Sequence, residues 1–176
     1  MVSISITEKM LLTVLGNFVV KLVDCEVVRG QANRVSPPKG EFIVLTPLSA
    51  LSLSTTIETH EPNLQADTLR HMRPTQWTAQ IDCYGKRAQD RAVTLSTLLR
   101  SAYACEQFGG EGLNVQPLFA GDARQLPFVN ASDQYEERWS FDAVLQYNPV
   151  IIVPQDFANA LSASLIEVDT KFPPGV

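Results

Sequence analysis

The sequence predicts an α+β fold, a mainly antiparallel sheet with two main helices packed on one face. Three observations carry this reading. Two segments, one near the N-terminus and one mid-chain, repeat apolar residues at helical spacing. Two others, TQWTAQIDCY and RWSFDAVLQY, alternate apolar and polar side chains with a period of two. Strand-like segments also follow one another directly instead of alternating strictly with helices, which favours antiparallel pairing.

The first helix is expected over residues 6–22. Ser5 and Glu8 have capping-box spacing, with Ser5 as N-cap, and Leu11, Val14, Leu15, Phe18 and Leu22 form one stripe. Gly16 weakens that helix slightly. Residues 25–29 read as a short strand, and residues 30–40, with Pro37 and Pro38, as a loop. Residues 42–46 are β-branched and aromatic, hence a strand. Residues 51–59 alternate Leu51, Leu53, Thr55 and Ile57 with Ser and Thr, which predicts another. Residues 60–74 hold charges and two prolines and are expected to form a surface excursion, with a short helical turn over 64–71.

In the strand over 75–84, Trp77, Ala79, Ile81 and Cys83 share one face and Gln76, Thr78, Gln80 and Asp82 the other. After Gly85 a helix is expected over 86–105. Its apolar stripe is Ala88, Ala92, Leu95, Leu99 and Ala102, and Arg87, Arg91 and Arg100 face water or a partner. Gly109, Gly110 and Gly112 form a flexible link, residues 115–119 a strand, and residues 121–130 an irregular segment. The long strand over 138–147 turns Trp139, Phe141, Ala143, Leu145 and Tyr147 toward the core. Arg138, Ser140, Asp142, Gln146 and Asn148 are left on the other side. Asn148-Pro149 stops it before a second apolar piece over 150–153. Residues 159–168 alternate and predict a strand, and residues 169–176 an extended arm. A length of 176 residues with 45% hydrophobic content fits one domain over 1–176.

Bulk chemistry narrows the function classes. A net charge of −5 argues against gripping nucleic acid phosphates, which takes clustered Lys and Arg. Three cysteines, Cys25, Cys83 and Cys105, are an odd count without metal-ligand spacing and suit a reducing compartment. The apolar run over 10–23 lacks a preceding basic cluster and a following cleavage site, and Asn17 and Lys21 interrupt it. It is too short to span a bilayer, so a soluble cytoplasmic protein is expected.

Catalytic signatures are sparse. No phosphate-binding loop, dinucleotide fingerprint or nucleophile elbow is present. The glycines at 109–112 follow a helix and precede a strand, the reverse of a phosphate cradle, and read as a linker. His60 and His71 fall in the polar excursion without a Cys nearby and read as surface residues. Asp82 and Asp142 could share acid–base work if their strands adjoin, but solvated or interfacial charges are favoured. Cys83 and Cys105 read as small core residues. The approach QYEER over 134–138 is either a solvated strand end or a subunit contact, since Tyr and Arg are favoured at interfaces. No cofactor and no metal site is expected. The residues describe an interaction protein, with Arg87, Arg91, Tyr135, Arg138, Asp142 and Gln146 as candidate subunit-interface residues.

Several segments carry a family resemblance. RPTQWTAQIDCYGKRAQDRAVTLSTLLRSAYA is followed by PLFAGDARQLPFVNASDQYEERWSFDAVLQYNPVIIVPQDF and then LIEVDTKFPP. Over residues 73–174 the chain resembles the neck-terminator proteins of tailed bacteriophages, related in fold to tail terminators. Residues 1–72 fit in length and in the initial helix but carry no signature. The resemblance implies a structural virion protein at the head–tail junction, assembled in the host cytoplasm. It implies a hexameric ring that caps the tail tube and joins it to the neck and head-completion proteins, beside a contractile sheath where the tail has one. Genomic DNA passes through the lumen without specific binding, and no membrane is involved. No catalytic residue is carried over.

Two alternatives stand beside it. One is another neck component, such as a head-completion connector or a tail-tube-like subunit. The other is a small phage hydrolase built on Asp82, Asp142, His60 and His71.

Overall fold

The computed structural model describes residues 2–31, 38–61, 68–129, 135–154 and 162–164. The N-terminal half runs β1 (Ser3–Ile4), α1 (Glu8–Val20), β2 (Glu26–Arg29), β3 (Phe42–Ser52), β4 (Ile57–Glu61), β5 (Thr68–Met72) and β6 (Thr75–Tyr84). Then come α2 (Ala88–Leu99), α3 (Ala102–Gly109), β7 (Val115–Ala120), β8 (Arg124–Gln125), β9 (Phe128–Val129), β10 (Tyr135–Glu136), β11 (Arg138–Tyr147) and β12 (Val150–Pro154). The α+β class expected from the sequence is the class observed.

The period-two segments build the centre. β6 and β11 pair antiparallel over their whole length, from Arg138 opposite Tyr84 to Tyr147 opposite Thr75. They sit inside a sheet ordered β2-β3-β6-β11-β7, with β8 also on β11. β2 runs parallel to β3 and the other pairings are antiparallel. Directly opposite residues share a face, so Ile43, Leu45, Ala79, Ile81, Cys83, Phe141, Ala143 and Leu145 all point one way and are buried. All three helices pack there, α1 through Leu11, Leu15 and Phe18, α2 through Ala92, Leu95 and Leu99, and α3 through Ala104 and Phe108. Ala79, Ala143 and Ala120 form a row across three strands, and these small side chains let α2 approach closely. Each fully buried Leu or Phe stabilises by about 1.5–3 kcal/mol. Trp139 and Tyr147, expected in this core, are half-buried at its margin.

Several local expectations change. Thr7, not Ser5, caps α1: it is extended (φ −102, ψ 161) and its Oγ1 accepts the Met10 N–H. Ser5 is taken by β12, its hydroxyl accepting from the Val150 N–H at 2.8 Å while its own N–H donates to the Val150 carbonyl. The long helix over 86–105 is two helices. Ser101 is extended (φ −107, ψ 162), and the change of direction brings Ala104 and Phe108 to the core while Ala102 stays exposed. The strands expected over 42–46 and 51–59 are redistributed: β3 runs through Pro47 to Ser52. Proline is tolerated because β2 pairs only as far as Leu45, leaving β3 an edge strand there, and because the register shifts between Pro47 and Ser49. Thr68–Met72 is a strand and not a helical turn, held by β4 on one side and β12 on the other. The strand expected over 159–168 lies outside the described residues except for 162–164, which form no helix or strand. The arm over 169–176 lies outside them too.

A second sheet, ordered β1-β12-β5-β4, continues the first. β3, β6 and β11 break at one level and resume as β4, β5 and β12. Pro74 and Pro149 stand at this break, where each removes a ladder donor. The Arg73 N–H donates to the Pro149 carbonyl and the Leu53 N–H to that of Pro74. No residue of the four strands is buried. No described helix is long and apolar enough to cross a membrane.

Candidate assembly surface

The face of the central sheet opposite the helices carries that sheet's alternate, largely polar side chains, and the pairing register writes it as rows. Phe42, Tyr84 and Arg138 form the first row, Val44, Asp82, Ser140 and Arg124 the second, and Thr46, Gln80 and Asp142 the third. Ser49, Thr78, Val144 and Phe119 follow, then Leu51, Gln76, Gln146 and Gln116. No helix lies over this face among the described residues.

Its first two rows form a tight cluster. Phe42 stacks on Tyr84 with ring centroids 4.6 Å apart, and the Arg138 guanidinium lies 5.7 Å from the Tyr84 ring. Burial raises the Tyr84 phenol above its ordinary pKa. Arg138 donates through Nε and Nη2 to Oδ1 of Asp82 (3.1 and 3.0 Å), and Gln80 Nε2 donates to both Asp82 oxygens. Asp82 is 4% exposed. Asp142 stands diagonally from it and has its own arginine, Arg124, at 3.7 Å. Each carboxylate thus has a separate cation, so the two form paired charges rather than an acid–base couple.

Among the described residues, four buried side-chain polar atoms have no hydrogen-bond partner: Arg91 Nη1 on α2, and Ser140 Oγ, Asp142 Oδ1 and Asn148 Oδ1. The last three belong to the outer side of β11 or the residue that follows it.

The candidate interface residues divide. Arg138, Asp142 and Gln146 lie together on this face. Tyr135, 83% exposed on β10, stands at the rim of an open cleft of about 630 Å³ with Lys39, Lys86, Glu136 and Glu137. Arg87 and Arg91 are elsewhere, at the N-cap of α2 and within it, where both reach Asp24 and Glu41. Those two acids were not singled out from the sequence: Glu41 is 46 residues from Arg87, and only the fold joins them.

The hydrolase candidates do not converge. Asp82 and Asp142 are on the central sheet, whereas His60 and His71 are on β4 and β5 of the second, with His71 Nδ1 3.3 Å from Glu58. Burial pushes the Cys83 thiol up to about 12, which keeps it protonated and unreactive as a nucleophile. Among the described residues no group of three or more His, Cys, Asp or Glu side chains is placed to hold a metal ion.

No curated protein matches the chain. A family model described as phage neck terminator protein matches residues 9–170. The match takes in both helix-bearing and strand-only parts of the fold, including every row of the polar face. The chain therefore belongs to the phage neck terminator protein family, whose members are structural rather than enzymatic, and it is a structural protein of the phage neck and so of the virion.

Proposed function

We propose that this neck protein acts as one domain in a hexameric ring that closes the end of the tail tube and joins the tail to the head-completion proteins. A contractile sheath, where present, abuts the same junction, and genomic DNA passes through the lumen without specific binding. The observation that carries this reading is the outer face of the central sheet, with the described helices confined to the opposite side and rows of polar side chains across β3, β6 and β11. Such a face suits a wet, polar contact with a neighbour or a lumen lining. Arg138, Asp142 and Gln146 supply its polar groups, and Tyr135 adds an exposed aromatic at one end. A net charge of −5 per copy keeps passing phosphates from adhering.

The test is virus produced without this protein. Capping predicts tails of uncontrolled length and heads without tails, both restored when the protein is supplied. Normal-length tails joined to heads in its absence would overturn the proposal.

A further inference from the structure

We propose that the second sheet is a hinged arm, which turns as a unit against the helix-packed body about a line through residues 53–56, 73–74 and 148–149. The pairing register defines that line. Ser52, Thr75 and Tyr147 are directly opposite one another and form the last row of the first sheet on these three strands. Ile57, Met72 and Val150 are likewise opposite one another and form the first row of the second sheet. Ser5 extends that row, bonded to Val150 in both directions, and the chain leaves β1 for α1 from there. The crossings between body and arm among the described residues therefore lie side by side at one level.

A turn about this line spares the ladders. Hydrogen bonds in an antiparallel sheet run across the strands, along the rows, so bending between two rows does not pull them apart. The two bonds in the break run the same way. The Leu53 N–H donates to the Pro74 carbonyl at 2.9 Å, and the Arg73 N–H to the Pro149 carbonyl at 3.4 Å. Both lie on the axis and are carried round with it. Pro74 and Pro149 bring no N–H to the gap, and the ladders on either side belong to separate sheets.

Packing holds the body and stops at the line. Thr75, Trp77 and Leu145 are buried just inside it. Beyond it no residue of β1, β4, β5 or β12 is buried, and none belongs to the hydrophobic core. The ion pairs Arg70–Glu61 at 2.8 Å and His71–Glu58 at 3.3 Å are internal to the arm. An element with its own ladders, little buried surface and crossings confined to strand ends is where hinge motion concentrates. The hinge does not depend on the ring reading. Within a ring it would let the body hold one neighbour while the arm meets another at its own angle.

The experiment is pulsed electron paramagnetic resonance on the full chain, with nitroxides attached to p-acetylphenylalanine so that the native cysteines stay. One pair spans the line, Thr59 on β4 with Val93 on α2. A second lies within the body, Thr13 on α1 with Val93, and a third within the arm, Ser3 on β1 with Thr59. All four positions are exposed. The spanning pair is expected to give a distance distribution about twofold broader than either internal pair. A spanning distribution as narrow as that of the body pair would overturn the hinge. An arm pair as broad as the spanning pair would overturn the motion as a unit, since the sheet itself would then be opening. Ile57 replaces Thr59 should that label lower the thermal midpoint.

Discussion

Arg91, only 7% exposed, donates to Glu41 at 2.7 Å and to Asp24 at 2.9 Å, and so ties α2 to the start of β3 and to the turn before β2. Arg87 reaches the same two acids from a position whose side chain is 54% exposed. The sequence alone places both arginines where they face water or a partner, and the fold separates them. Arg91→Glu places a like charge against two acids at a buried site and is expected to lower stability by about 2–3 kcal/mol, less than for a fully buried pair because Asp24 is exposed to screening solvent. Arg87→Glu is expected to cost clearly less, because its side chain is exposed to screening solvent. Urea unfolding of the two variants checks the ordering, and equal losses would contradict it.

The same cluster sets an acid limit. Hydrogen bonds from Arg91 and Arg87 lower the Asp24 carboxyl from 3.8 to about 2, and those from Arg87 and Arg91 hold Glu41 below its ordinary 4.5. Both groups titrate lower in the folded than in the unfolded chain, so the unfolded chain binds more protons in this window. Their contribution is complete above the ordinary carboxyl range and is lost as pH falls from about 4 toward 2. Thermal midpoints measured between pH 6 and 2 should fall more steeply for wild type than for Asp24→Asn with Glu41→Gln. Parallel curves would remove the cluster from the acid response.

Arg138 is the partner that Asp82 has on the polar face, with Gln80 assisting. Arg138→Ala leaves a carboxylate at 4% exposure without its cation, which is expected to cost about 2–3 kcal/mol. Adding Asp82→Ala should recover part of that loss, because the stranded charge goes with it. A double-mutant cycle by chemical denaturation gives the coupling directly, and additive losses would show the two residues to be independent.

Gly85 closes β6 in a conformation of φ +100, and a Cβ there would lie 2.7 Å from Glu41 Cγ and 3.2 Å from its Cα. Gly85→Ala is therefore strained by its own backbone and also pushes the acid that holds Arg87 and Arg91. A loss of about 1–3 kcal/mol is expected. It should shrink in a Glu41→Ala background if displacement of that side chain, beyond the φ strain, carries part of the cost.

What the sequence revealed was what its periods encode. β6 and β11 were legible because their near-regular alternation marks one apolar face, and Ile81, Ala79, Phe141 and Leu145 occupy it. α1 was legible by its stripe, but its cap was not: Ser5 has the right spacing and is drawn away by Val150, 145 residues distant. The break at Ser101 has no glycine or proline to announce it and follows from where Ala104 and Phe108 must pack. Thr68–Met72 has no strong strand preference, and pairing on both edges decides it. The polar surface was half visible. Alternation placed Asp142 and Gln146 away from the core, but the partners of Arg87, Arg91 and Arg138 are long-range consequences of topology.

The central claim is the ring, and mass together with symmetry tests it most directly. Light scattering on the purified protein, paired with negative-stain imaging after addition of tail tubes, should show sixfold rings seated on tube ends. Twelvefold rings, or a monomer with no affinity for tubes, would contradict it.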